Sequence, residues 1–251
     1  MSFRAIFIFL VITSVFLSCK KEEEQKVNNI LEFYVKHQKA KQEYTISASN
    51  AETIVGQAGT RLTTTGNFYD VNGNVITGEV KLELKEYYSK KDIVLNQLHS
   101  ISFSSGTPVL MESGGMMYIR FTQNGIDVYP DQYQLQAPIN GQANPNMDLY
   151  YGIDYSFIYP SERIDLSWQE ADSTEVDIVS GGGVSYYSVI NNIPDYQWIN
   201  YDYPFDTTTR PLEVIPIDAF DATLSTNVYL VLQDFNAIAP LEELNDAFRF
   251  Q

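Results

Sequence analysis

From Tyr44 onward, the chain alternates apolar and polar residues with a period of two. The clearest example runs through Val80, Leu82 and Leu84, which alternate with lysine and glutamate. Such alternation predicts a strand with one dry face and one wet face. Glycine and asparagine interrupt the chain often, and no long stretch after Tyr44 has helical periodicity. The sequence therefore predicts an all-β protein with many short strands.

Turn signals divide these strands. Asn72-Gly73 and Asn124-Gly125 are Asn-Gly pairs, which supply the positive φ angles of tight hairpin turns. The second pair follows Met116–Thr122, which is predicted to be a strand. Gly181-Gly182-Gly183 lacks the lysine of a phosphate-binding loop and is predicted to be a flexible turn.

The polar segment Asn140–Asn146 contains both glycine and proline, which is typical of a linker. We therefore expect two β-sandwich-like domains, the first spanning residues 44–140 and the second residues 141–251. In the second domain, strands are expected within Leu149–Ile158, Ile164–Trp168, Val184–Val189, Leu212–Ile217 and Val228–Leu232.

One helix is expected before the strands, from Val27 to about Gln42. Its apolar residues recur at helical spacing: Val27, Ile30, Leu31, Tyr34 and Val35. With the charged residues that precede it, this helix makes residues 19–43 a tether and short helix.

The first residues have the layout of a secretory signal. Arg4 precedes an apolar stretch, and Ser18 is a small residue at its end. The stretch is shorter than the roughly 20 apolar residues of a membrane-spanning helix. We predict that residues 1–18 are a signal peptide. Cys19 is the only cysteine, so a disulfide framework is excluded.

Leu17-Ser18-Cys19 resembles the lipobox of bacterial lipoproteins, although Phe16 stands where that family usually has leucine. In that family the peptide is cut before the cysteine, whose thiol receives a diacylglycerol. The resemblance implies that Cys19 is lipidated, and two or three acyl chains anchor a protein stably to a membrane. The alternative is an unmodified cysteine in an ordinary leader.

Lys21-Glu22-Glu23 resembles the lysine-plus-acidic export tag of some Bacteroidetes lipoproteins. This resemblance implies an outer-membrane lipoprotein that is exposed on the cell surface. Without the tag, the protein would face the periplasm. The alternative is a solvated tether, because charge runs usually stay disordered.

The charge of the chain excludes one class of partner. Removing residues 1–18 takes away Arg4 and no acid, which changes the formal charge from −16 to −17. Such a chain is repelled by nucleic acid and by anionic lipid surfaces. Nucleic-acid binding is therefore not expected.

Several turn and core motifs resemble a module of Bacteroidetes lipoproteins of unassigned function. They are Gly59-Thr60-Arg61-Leu62, Asp70–Val80, Glu112–Met116 and Trp198-Ile199-Asn200-Tyr201-Asp202. The resemblance covers most of residues 55–205. It implies a β-sandwich loosely similar to ZU5-type domains and implies no known chemistry.

Candidate catalytic residues are few. The chain has two histidines, His37 and His99, and no Gly-x-Ser-x-Gly elbow. Ser102-Phe103-Ser104, downstream of His99, resembles the self-cleaving site of some ZU5-like domains, which would make Ser104 the nucleophile and His99 the base. The alternative is an ordinary strand, and no catalytic residue is predicted.

Metal and cofactor sites are not predicted either. Asp70, Asn72 and Asn74 have the spacing that opens an EF-hand loop, but Val75 and Lys81 stand where that loop needs glycine and glutamate. A hairpin turn explains the segment fully. Asp202 and Asp206 flank an aromatic loop without a diagnostic spacing, and no Cys/His cluster suits zinc.

The aromatic segment 196–205 gives the candidate ligand-binding residues Tyr196, Trp198, Tyr201, Asp202 and Tyr203. Aromatic faces beside acidic and amide groups stack on sugar rings and bond their hydroxyls. The alternative is that Tyr196, Trp198 and Asn200 lie on one face and fill the sandwich core.

The sequence thus favours an envelope lipoprotein with a structural or protein-interaction role and no catalysis, whose partners are the membrane and another envelope protein. The alternative is a surface lipoprotein that captures a glycan or nutrient through the region of Trp198.

Overall fold

The computed structural model describes residues 30–104, 107–154, 166–171, 174–191, 197–204, 212–214, 228–232, 235–244 and 247–250. The predicted signal peptide, Cys19 and the tether up to residue 29 lie outside the described residues. Strands dominate the described part, which confirms the prediction of an all-β protein.

Two helices are described. Helix α1 spans Ile30–His37 and helix α2 spans Lys90–Leu95. The first helix was expected to reach about Gln42 but ends at His37. Gln42 instead begins a strand, in which it pairs with Leu84. In α2, Ser89 caps the N-terminus by accepting a hydrogen bond from the Asp92 amide.

Nineteen strands are described. In chain order they are β1 Gln42–Ser47, β2 Glu52–Val55, β3 Arg61–Thr64, β4 Phe68–Tyr69, β5 Glu79–Tyr87, β6 Ile101–Ser104, β7 Thr107–Gln123, β8 Ile126–Asp127, β9 Tyr129–Pro130, β10 Tyr133–Pro138, β11 Asp148–Asp154, β12 Leu166–Glu170, β13 Asp177–Gly181, β14 Val184–Asn191, β15 Trp198–Pro204, β16 Leu212–Val214, β17 Val228–Val231, β18 Ile238–Leu244 and β19 Ala247–Phe250.

Two sheets form the sandwich. Sheet A has eight strands in the order β1-β5-β7-β15-β11-β12-β6, and β8 pairs with β7. Sheet B has five strands in the order β13-β14-β10-β3-β2. A two-stranded sheet, β4-β9, and a four-stranded sheet, β16-β19-β18-β17, complete the described strands.

The main core lies between sheets A and B. Leu82 and Leu84 of β5 pack in one cluster with Leu62, Leu135 and Val189 of sheet B. The polar partners of the leucines in β5 lie on the opposite face of sheet A. The alternation predicted for this strand is therefore confirmed, and the face of sheet A toward sheet B is called the inner face below.

The outer face of sheet A is partly covered as well. Tyr87, Met116 and Trp168 pack there against Ile93 of α2 and Ile238 of β18. The central strands of sheet A therefore bury side chains on both faces. The cluster on the outer face therefore determines which side chains of β15 are buried and which can reach a ligand.

The turns predicted at Asn124-Gly125 and at Gly182-Gly183 are confirmed, whereas Gly181 is the last residue of β13. Asn124 and Gly125 have φ angles of 53° and 81°, and they join β7 to β8. Gly182 and Gly183 also have positive φ angles and join the hairpin of β13 and β14.

The predicted domain boundary at residues 140/141 needs correction. Sheet A interleaves β1, β5 and β7 from the first half with β15, β11 and β12 from the second, and sheet B combines β3 and β10 with β14. The segment 139–147 connects β10 of sheet B to β11 of sheet A. Strands from both predicted domains thus share one core.

Candidate functional site

Strand β15 divides the predicted binding residues between the two faces of sheet A. Ile199 and Tyr201 belong to the main core on the inner face. Trp198 belongs to the cluster on the outer face, where Asn200 and Asp202 follow it at alternate positions. Tyr196 lies outside the described residues.

Tyr201 is a core residue. Its side chain is fully buried, its hydroxyl donates to the Leu135 carbonyl over 3.0 Å, and its ring stacks on Tyr187 with centroids 6.0 Å apart. Burial raises the pKa of this phenol well above its usual value. Tyr203 packs against the same core. Tyr201 and Tyr203 therefore do not share a ligand surface with Trp198, which corrects the prediction of one aromatic surface.

Trp198 is half-buried and anchors a small aromatic group. Its indole stacks on Tyr87 at 5.8 Å with planes 23° apart and meets the edge of Tyr118 at 5.2 Å. These are favourable geometries for aromatic pairs. We call Tyr87, Tyr118 and Trp198 the aromatic shelf. Tyr87 is buried, whereas Tyr118 and Trp198 are only half-buried.

Gly152 of β11 makes room for this arrangement. It is the cross-strand neighbour of both Trp198 and Trp168. A Cβ atom at residue 152 would overlap the Cβ of Trp198 and lie 3.2 Å from the Trp168 ring. The two tryptophans flank this position because it carries no side chain.

Charged residues lie beside the shelf on the same sheet. Lys41 forms ion pairs with Glu83 at 2.6 Å and with Glu43 at 3.1 Å. Arg120 donates from Nε to Asp127 over 2.7 Å. Burial raises the pKa of the Tyr118 phenol, although the positive charge of Arg120 opposes this effect.

Asp202 forms a buried polar cluster with Asn200 and Ser113. Asn200 Nδ2 donates to Asp202 Oδ2 over 2.5 Å, and Ser113 Oγ donates to Asn200 Oδ1 over 2.9 Å. The other carboxyl oxygen, Oδ1, is buried and has no partner among the described residues. Burial raises the pKa of Asp202 well above its usual value, because a charged carboxylate is costly to hold away from water.

The cluster also attaches the β17–β18 connection to sheet A. The Ser113 amide donates to the Asn236 carbonyl, and Asn236 Nδ2 donates to the Ser113 carbonyl over 2.7 Å. Asp202 was predicted to contact a ligand, but its side chain has no exposed surface. The roles of Ser113 and Asn236 were not predicted, because nothing in their local sequence indicates that they meet β15.

His99 is buried and both of its ring nitrogens are engaged. Nδ1 accepts from the Ile101 amide over 3.2 Å, so Nε2 carries the proton and donates to the Leu166 carbonyl over 2.6 Å. Burial lowers the pKa of His99 to about 4. The hydrogen bond from Ile101 occupies the lone pair that a base would need, which weakens the self-cleavage hypothesis for Ser104, whose side chain lies outside the description.

The Asp70 turn is confirmed as a hairpin turn. Asp70 Oδ1 accepts from the amides of Asn72 and Asn74, and Oδ2 accepts from Asn74 Nδ2. Tyr69 and Val75 form a bridge across the turn. Hydrogen bonds, chiefly from Asn74, lower the pKa of Asp70. Its carboxylate oxygens serve the backbone of the turn.

Glu86 is a second buried carboxylate with an internal role. It accepts hydrogen bonds from Gln42 Nε2 and from the amides of Ala58 and Thr60, all within 2.9 Å. A Cβ atom at Gly56 would collide with its carboxylate. Glu86 therefore holds the turn between β2 and β3.

Three further observations concern the described part of the chain only. It contains no group of three or more His, Cys, Asp or Glu side chains arranged to hold a metal ion. No described helix combines the length and apolar character needed to cross a bilayer. One surface depression, with a cavity volume of about 10 Å³, is lined by residues that include Arg120, Asp127 and Gln197, and it has room for a single water molecule.

The described strands define the fold class, an all-β protein built on a two-sheet sandwich. The chain matches no protein-family model, no curated protein and no solved structure.

Proposed function

We propose that the protein is an envelope lipoprotein with a structural or protein-interaction role and no catalysis. The observation that carries this proposal is the position of Cys19. This lone cysteine follows the apolar leader and Ser18 directly, and the charged run that begins at Lys20 follows it. Lipidation of Cys19 would fix the chain to the outer membrane, and Lys21-Glu22-Glu23 would direct it to the cell surface.

The buried ionisable groups support a scaffold role. His99, Glu86 and Asp202 are all buried and make hydrogen bonds to the surrounding fold. A buried polar group costs free energy unless it is hydrogen-bonded, so these bonds favour one conformation of the turns and strands that supply them. A rigid sandwich suits a protein that presents a surface to a partner.

A Cys19→Ser variant tests the anchor. In cells that carry the full gene, we expect the native protein in the membrane fraction and its N-terminal peptide to carry the mass of the acyl chains. The variant should lose both the acyl mass and the membrane association. An unmodified Cys19 peptide in the native protein would contradict the anchor.

The interaction role needs a separate experiment. Cross-linking of intact cells, followed by purification of the native protein, should yield one envelope protein in fixed proportion, and Cys19→Ser should lose that partner. Recovery of the native protein without a reproducible partner would contradict the role.

A second candidate function is capture of a glycan, and the half-buried state of Trp198 favours it. Tyr87 and Tyr118 hold the indole in place while part of it stays exposed. Rigid aromatic surfaces of this kind suit the apolar faces of sugar rings. Binding of an oligosaccharide to the native protein that is lost in Tyr118→Ala, with the unfolding midpoint little changed, would support this candidate.

A further inference from the structure

A lysine lies next to the aromatic shelf, in the same cross-strand row as Tyr118 and Trp198. Lys85 of β5 lies opposite Tyr118 of β7, and Tyr118 lies opposite Trp198 of β15. These residues occupy successive strands of sheet A. Adjacent strands are about 4.8 Å apart, so the backbone positions of Lys85 and Trp198 are separated by roughly 10 Å. A sugar ring on the shelf would therefore lie within reach of the lysine side chain.

Three polar groups of this row are free among the residues that the structure describes. The Lys85 ammonium has no ion pair or hydrogen bond there, and neither the Tyr118 hydroxyl nor the Trp198 indole N–H has a hydrogen-bond partner. Lys85 is half-buried, as expected of a lysine whose aliphatic stem packs along the sheet while its ammonium stays in water.

The neighbouring charges do not neutralise Lys85. Glu83, the nearest acid on the same face of β5, accepts from Lys41 at 2.6 Å and lies 3.9 Å from Arg120. Asp127 pairs with Arg120 at 2.7 Å. Acids outnumber bases in the chain, 32 to 16, yet no carboxylate among the described residues forms an ion pair with Lys85.

This row has the chemistry of a site for an acidic sugar. An aromatic ring provides stacking area for a pyranose, while an indole N–H and a phenol hydroxyl provide hydrogen bonds. A carboxylate on the sugar would satisfy the lysine ammonium. The net charge of the chain repels anions at long range, but this repulsion is screened beyond about 8 Å at physiological salt. The contact with Lys85 therefore determines whether an anionic sugar is bound.

We infer that the aromatic shelf and Lys85 together bind a uronic-acid-containing glycan, with Lys85 as the residue that recognises its carboxylate. This inference rests on the second candidate function, glycan capture at Trp198. It adds the chemical class of the ligand and the residue that selects it.

The test compares three oligosaccharides by calorimetry on the full native chain in detergent: a galacturonate tetramer, its methyl ester and a neutral galactose tetramer. We expect the galacturonate tetramer to bind at least five-fold more tightly than the other two. Its affinity should fall as ionic strength rises, because the contact with Lys85 is between opposite charges.

Lys85→Gln is the decisive variant and Lys81→Gln its matched control. Both lysines lie on the same face of β5, and Lys81 is exposed and lies opposite Thr122, away from the shelf. Lys85→Gln should reduce the affinity for galacturonate about five-fold or more and leave neutral-sugar binding unchanged. Lys81→Gln should change neither affinity by more than two-fold, and both variants should unfold at the native midpoint.

The outcomes separate the two proposals. Equal binding of acidic and neutral tetramers, unchanged in Lys85→Gln, would overturn the acidic-sugar inference and leave glycan capture standing. Absence of binding for all three tetramers would overturn both.

Discussion

Two buried ionisable residues oppose each other in their effect on stability. The pKa of His99 is lowered to about 4, so between pH 4 and 6.5 the unfolded chain binds a proton that the folded chain lacks. The pKa of Asp202 is raised well above its usual value, so above about pH 4 the folded chain keeps a proton that the unfolded chain loses. As pH falls from 6.5 to 4, His99 destabilises the fold while Asp202 stabilises it.

The raised pKa of Asp202 predicts the effect of Asp202→Asn. The amide keeps the shape of the carboxyl but does not titrate, so the variant does not lose stability through this residue as pH rises. The free energy of unfolding of the variant, relative to that of the native protein, should therefore increase with pH, by at most about 1.4 kcal/mol per pH unit. Urea unfolding at several pH values between 4 and 8 measures this difference.

His99→Gln is the control with the opposite sign. Relative to the native protein, it should gain stability as pH falls from 6.5 to 4, by roughly 3 kcal/mol over that window. Profiles of Asp202→Asn and the native protein that stay parallel across the whole pH range would show that the Asp202 carboxyl is not held protonated.

At the scale of single elements, strand β15 shows what its sequence could reveal. The period of two correctly separates Trp198 and Asn200 from Ile199 and Tyr201. It does not tell which set faces the sandwich core, because the outer face of sheet A is also covered, by α2 and β18. The core hypothesis placed Trp198 between the two sheets, and the structure places Tyr201 there instead.

Gly152 provides a prediction for strand β11. Gly152→Ala would force its new methyl group against the Trp198 Cβ and the Leu166 side chain, which lies 2.9 Å away. Overpacking of this kind costs roughly 1–3 kcal/mol, so the unfolding midpoint in urea should fall. Because both tryptophans border the site, their fluorescence should change in the folded state as well.

Gly181→Ala is the matched control. A Cβ atom there meets nothing within 4 Å, and its φ angle is not positive. This variant should unfold within about 0.5 kcal/mol of the native protein. Equal stabilities for the two variants would mean that the tryptophans adjust freely around residue 152.

At the scale of the whole molecule, the strands could be predicted but their partners could not. Alternation is a local signal, whereas β7 pairs with β15, whose first residue lies more than seventy positions later. The segment Asn140–Asn146 combines polar residues with chain breakers, as linkers do. A loop that carries the chain from one sheet to the other needs the same exposed turns, so its composition does not distinguish the two cases.

The interleaved topology predicts that neither half of the sandwich folds alone. A fragment of residues 36–140 would leave β7 without β15 and β10 without β14, which exposes core residues such as Ile119 and Leu135. The fragment of residues 141–251 would lack β7 and β10 in turn. Each fragment should give poorly dispersed NMR spectra, because half a sheet on each side buries too little apolar surface to offset the entropy of ordering the chain.

A cut in the connecting loop is the complementary experiment. Gly141 and Gln142 are exposed, so a protease site inserted between them can be cleaved in the folded protein. The two pieces should remain associated on a sizing column and unfold in one transition, because the pairs β7–β15 and β10–β14 hold them together. Separation of the pieces into two folded bodies would instead restore two independent domains, since strands that share one core cannot part without exposing it.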